Sequence, residues 1–165
     1  MLSHWTGVEL HLWAIGYEGI GYESCPGWKL FPSGQWNAPG RLDAFLRQLA
    51  TGGYTHVFLL QDTFQFGPRF CEAFRNICSQ RHIRSVMYFP VDAPLEKEWT
   101  EILGSVDVCV AYTEYGRAEA LKKAAMAELR LNCHVLPHGV DRDIYQPRPA
   151  QRAEDRTMWR VLGQA

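Results

Sequence analysis

The sequence predicts a doubly wound α/β fold, a mostly parallel sheet with helices on both faces, and three observations lead there. Apolar runs of strand length alternate with helix-length amphipathic segments along most of the chain. The runs Val57-Phe58-Leu59-Leu60 and Val108-Cys109-Val110-Ala111 are apolar without interruption, as strands between two helical layers are, whereas a half-solvated strand alternates. The segments between strands are long enough to be helical crossovers, which join parallel neighbours. The class is Rossmann-like.

The elements follow in order. Residues 8–15 read as the first strand. Residues 16–40 break the rhythm with glycines at 16, 19, 21, 27, 34 and 40 and prolines at 26, 32 and 39, so they read as a long loop holding a short strand at 28–31. The aromatics Tyr17, Tyr22, Trp28 and Trp36 of that loop either line a binding surface or pack it onto the sheet edge. A helix at 42–50, a strand at 55–60, a helix at 68–80 and a strand at 83–89 come next. They lead to a short helix at 95–103, a strand at 106–111, a helix at 114–129 and a last strand at 132–136. Thr113 stands where the N-cap of the 114–129 helix belongs.

Directly after the last strand, Pro137-His138-Gly139-Val140-Asp141, with Tyr145 and Pro147, reads as a hinge. Beyond it Arg148, Arg152, Arg156 and Arg160 recur every fourth residue, and Met158, Trp159, Val161 and Leu162 add apolar surface. This is a helical pattern. Its arginine row, interleaved with Glu154 and Asp155, reads first as a solvated face and second as a phosphate contact. The predicted organisation is an α/β domain over 1–137, an interdomain hinge over 138–147, and over 148–165 the opening helix of a further domain.

A chain of 165 residues buries roughly 70% of its unfolded surface, enough for a real core. The net charge of −1 gives no electrostatic reason for a nucleic-acid partner. Five cysteines, an odd number without CxxC spacing, point to a reducing compartment. No apolar run approaches the about 20 residues of a membrane span, and residues 1–16 lack the basic start and cleavage site of a signal peptide. The expected location is cytoplasmic, with peripheral membrane contact as an option. Among the six histidines, His134 and His138 are four apart but lie on a strand and its turn, so no metal set is expected. The GxGxxG, GxxxxGK[ST] and GxSxG signatures are missing, which argues against nucleotide hydrolysis and serine-esterase chemistry.

Open parallel sheets bind ligands beyond the carboxyl ends of their strands. Here those ends carry Tyr17-Glu18-Gly19, then Asp62, Asp92, Thr113-Glu114 and His138, a polar group at every one. Asp62 and Asp92 each have two readings, as ligand contacts or as caps of the following helix or turn.

Tyr88-Phe89-Pro90-Val91-Asp92, Ala111-Tyr112-Thr113-Glu114-Tyr115-Gly116 and His138-Gly139-Val140-Asp141 with Tyr145 and Pro147 occur in this order. Together with Leu12-Trp13-Ala14-Ile15-Gly16-Tyr17 and Lys29-Leu30-Phe31-Pro32, they resemble the acceptor-side, N-terminal domain of the GT-B glycosyltransferases of the large retaining class called family 4, over most of residues 8–162. The resemblance implies one half of a GT-B architecture that transfers a hexose from a nucleotide sugar to a sugar or lipid acceptor. It implies Asp92 as the carboxylate nearest the chemistry. Tyr17, Glu18, Gly19, Asp62, Thr113, Glu114 and His138 would bind the acceptor, with Tyr17 or Trp36 as a stacking surface, and Gly139, Val140 and Asp141 would form the hinge. Glycosyl transfer passes through a cationic sugar, which carboxylates stabilise.

Two departures from that family stand out. Its usual opening strand, glycine loop and helix are absent here or reduced to seven residues, and no residues match its donor-binding domain. The expectation is a chain that binds no cofactor alone and is inactive without a donor domain or donor-half chain, which would bring the nucleotide sugar. Self-association through the exposed interdomain face is expected as well. Two other readings stand beside it: a non-enzymatic interaction module, and a flavodoxin-like signalling domain with Asp62 as acceptor. The latter lacks an acidic pair after the first strand and a lysine after a late one.

Overall fold

The computed structural model describes residues 7–17, 19, 28–34, 40–141 and 144–145. Glu18, Tyr22, Cys25, Trp36 and the arginine row of 148–160 lie outside these residues. Strands β1 (Leu10–Ala14) and β2 (Trp28–Pro32) pair in parallel as a two-stranded sheet. Strands β3 (His56–Leu60), β4 (Arg84–Phe89), β5 (Val108–Ala111) and β6 (Cys133–Val135) form a four-stranded parallel sheet in that order. Helix α1 (Arg41–Thr51) joins the two sheets in sequence, α2 (Pro68–Arg81) connects β3 to β4, and α3 (Glu114–Met126) connects β5 to β6. The fold is α/β and Rossmann-like.

Local chemistry sets the helix ends. Pro68 opens α2 at a position whose N–H has no helical partner in any case. His82 closes it in the left-handed region (φ 55°), so that the Ile83 amide donates to the Cys78 carbonyl at 2.9 Å. Glu128 (φ 57°) ends α3 in the same way, with the Leu129 amide donating to Ala124 at 2.9 Å. The short helix expected at 95–103 is instead a pair of 3₁₀ turns, Lys97–Thr100 and Leu103–Ser105. Ile102 and Leu103 are both fully buried, and the Thr100 and Ser105 hydroxyls donate back to the carbonyls of Lys97 and Glu101. Tight turns bury adjacent residues here where one amphipathic stripe would expose one of them.

Because the strand order has no reversal, right-handed crossovers place all the β3-to-β6 connections on one face. Burial agrees. Val57, Leu59, Ser85, Met87, Phe89, Cys109, Ala111 and Cys133 point into the core against Phe70, Phe74, Ile102, Leu103 and Ala120. On the opposite face Phe58 and Leu60 remain 61% and 57% exposed. A run of rings, Phe66, Phe70 and Phe74, lines α2, and Phe45 of α1 stacks on Phe70 at 6.2 Å. Trp13 of β1 meets both Phe31 and Phe45, which ties the two-stranded sheet to α1. Near β1, hydrogen bonds from Lys29 and His11 pull the Glu9 carboxyl down to about 2. Among the described residues no helix is long and apolar enough to cross a membrane.

Candidate functional site

The carboxyl ends of β3 to β6 lie level with one another, since Leu60 pairs with Tyr88, Phe89 with Ala111 and Ala111 with Val135. The residues immediately beyond them share that edge. Asp62 follows β3, half-buried, in an extended conformation just before a 3₁₀ turn at Thr63–Gln65. Its carboxylate makes no capping hydrogen bond, although the residue stands at the cap position. Asp92, exposed in the bend after β4, makes no side-chain hydrogen bond among the described residues. Both carboxylates are therefore available to a ligand.

Val91 holds the Asp92 loop down. A Cβ at Gly116, in the first turn of α3, would sit 3.2 Å from the Val91 Cβ, so the absence of a side chain there lets the loop and the helix meet. Thr113 caps α3 as expected, its Oγ1 accepting from the Gly116 amide at 3.0 Å. The helix starts directly from the end of β5, so the partial positive charge of its N-terminus lies at the same edge as Asp62 and Asp92. Glu114 is exposed and stands 3.8 Å from Arg117, whose Nε donates to the Cys133 carbonyl.

His138 is placed by two rings. Its imidazole lies 4.0 Å from the Tyr112 ring and 5.4 Å from that of Tyr88, and Tyr88 itself lies 4.2 Å from Tyr112. The Tyr88 hydroxyl donates to the Leu136 carbonyl at 2.9 Å and stands 3.3 Å from His138 Nδ1. The start of the expected hinge is thereby fastened to the sheet. Burial, then the neighbouring Tyr88 and Asp62, raise the Tyr112 phenol above the ordinary tyrosine value. Gly139, Val140 and Asp141 are exposed, and the Asp141 carboxylate accepts from the Ile144 amide while its carbonyl accepts from Tyr145.

Five of the sequence-derived residues, Asp62, Asp92, Thr113, Glu114 and His138, thus occupy the ends of β3 to β6. Tyr17 and Gly19 belong to the other sheet: the Tyr17 amide donates to Ala14, its carbonyl accepts from Gly34, and Gly19 (φ +89°) lies against Pro32. Glu18 is outside the described residues. The aromatics Phe58, Tyr88 and Tyr112 were not among the expected site residues. Strand alternation carries their signal, because Met87 and Phe89 are core residues and Tyr88 must face the other way. Among the described residues no three His, Cys, Asp or Glu side chains converge as metal ligands. The edge offers carboxylates, helix N–H groups, an imidazole and phenols. Comparisons with protein-family models, with curated proteins and with solved structures find no match to this chain.

Proposed function

We propose that this chain is the acceptor-side half of a GT-B-type glycosyltransferase, which holds a sugar or lipid-linked sugar while a donor-binding half supplies the nucleotide sugar. The observation that carries the reading is the pair of unpartnered carboxylates, Asp62 and Asp92, on the sheet edge where the N-terminus of α3 opens. Asp92 is the residue for the charge that develops at the anomeric carbon, and Asp62, Glu114 and His138 hold acceptor hydroxyls. The free thiols of Cys71, Cys78, Cys109 and Cys133 support a reducing, cytoplasmic setting.

The test is to present the full chain to an array of immobilised glycans and, separately, to UDP-glucose and GDP-mannose with release of the nucleoside diphosphate, UDP or GDP, as the readout. Glycan binding that falls in Asp62→Asn, without turnover, is expected. Turnover by this chain alone, or no glycan bound at all, defeats the reading. A second reading, a non-enzymatic interaction module, is favoured by the exposed Phe58 and Leu60. Protein capture that is abolished by Leu60→Lys, with no glycan binding, would select it.

A further inference from the structure

The four rings Phe58, Tyr88, Tyr112 and His138 have a use beyond fastening the chain after β6. Successive contacts of 6.2, 4.2 and 4.0 Å link them, from the face of β3 across β4 and the end of β5 to the segment after β6. The anchoring role explains Tyr88, whose hydroxyl is spent on Leu136. It leaves Phe58, 61% exposed and touching the cluster only at its edge, without a structural task. It leaves the Tyr112 hydroxyl and His138 Nε2 without a hydrogen-bond partner among the described residues, and Asp62 close enough to raise the Tyr112 phenol.

We propose that this cluster is a saccharide-stacking subsite, with the Phe58 and Tyr112 rings packing against the C–H face of a pyranose and Asp62, the Tyr112 hydroxyl and His138 taking its hydroxyls. The proposal rests on the acceptor-side reading above and specifies the ligand class for it. A pyranose combines one apolar face with a rim of hydroxyls that donate and accept, which is the chemistry this edge complements. A nucleotide would also stack, but its phosphates would meet the carboxylates of Asp62 and Asp92 on a chain of net charge −1. An acyl chain would use the rings and leave the polar rim unmatched.

Saturation-transfer NMR on the full chain tests this, with the methyl α- and β-pyranosides of glucose, galactose and mannose and with octyl β-D-glucopyranoside as probes. Transfer to the ring protons of one sugar face is expected, for at least one pyranoside. Phe58→Ala and Tyr112→Leu should each weaken binding about fivefold, the size of an aromatic contact, while Tyr112→Phe keeps most of it. Thermal melts of the same variants identify any that fail to fold, and Tyr112→Phe supplies a fold-neutral comparison. Pyranoside binding unaffected by Phe58→Ala and Tyr112→Leu but lost in Asp62→Asn overturns the subsite and leaves the acceptor reading intact. Binding that needs the two rings and Asp62, together with sugar-nucleotide turnover by this chain alone, keeps the subsite and removes the acceptor-half reading, whereas binding that needs the rings but ignores Asp62→Asn overturns the subsite as stated. No pyranoside bound, or transfer confined to the octyl chain, overturns the subsite.

Discussion

Thr113 and Gly116 show how single residues position the candidate edge. The Thr113 hydroxyl satisfies the Gly116 amide, which has no partner within the helix, so Thr113→Ala should cost about 1 kcal/mol and lower the melting temperature by about 2–4 °C. Gly116 sets two effects against each other. A helical Gly→Ala change gains about 1 kcal/mol, but the new methyl would press on Val91 at 3.2 Å, and overpacking costs about 1–3 kcal/mol. The expected net outcome of Gly116→Ala is destabilisation by up to about 2 kcal/mol, measured by urea unfolding, with the Asp92 loop displaced in the spectrum of the variant. Thr113 was legible because its partner lies three residues away. The state of Asp62 was not, because both readings need the same residue after a strand, and only the three-dimensional position of its carboxylate separates them.

At the scale of elements, hydrophobic period located the α-helices and strands of the described residues to within a few residues, and it misassigned the described segment 95–103. There the decisive contacts are the burial of Ile102 and Leu103 side by side and two hydroxyl back-bonds, none of which has a helical period. Pairing of β4 with β5 has a further device. The Asp107 carboxylate accepts from both the Ser85 amide (2.7 Å) and the Ser85 hydroxyl (3.0 Å), and the Asp107 amide donates back to the Ser85 hydroxyl. The clip fixes the register one residue before β5 begins. Asp107→Ala should lose about 1–2 kcal/mol in urea unfolding, and Ser85→Ala a comparable amount because the buried hydroxyl links both strands. Hydrogen exchange at the Cys109 and Val110 amides should rise in both variants.

For the molecule as a whole, the buried thiols tie stability to alkaline pH. Burial raises Cys71 and Cys78 to about 11 and Cys109 to about 12, and it raises Cys133 against the opposing pull of Arg117. In the unfolded chain these thiols ionise in the ordinary range near 9, whereas the native protein still holds their protons. Their contribution is therefore complete below about 8.5 and declines as pH rises towards 11–12. Chemical denaturation should show the midpoint falling steadily above pH 9. In the native protein at pH 8 these four thiols should resist iodoacetamide and react fully once urea unfolds the chain. A flat midpoint between pH 8 and 11 would contradict this account.

By itself the sequence determined the α/β class, the order of the elements and the edge at which polar residues gather, since each follows from local period, turn residues and the rule that parallel strands send their loops to one end. Tertiary structure decided what depends on residues far apart in the chain. It separated β1 and β2 into a sheet of their own, left Phe58 and Leu60 open on one face, and drew Tyr88, Tyr112 and His138 into one cluster. The physical reason is that period tells which side of a strand a residue occupies but not what covers that side. Coverage is fixed by strand order and crossover handedness, and the contact between residues 88 and 138 exists only once β4, β5 and β6 lie side by side.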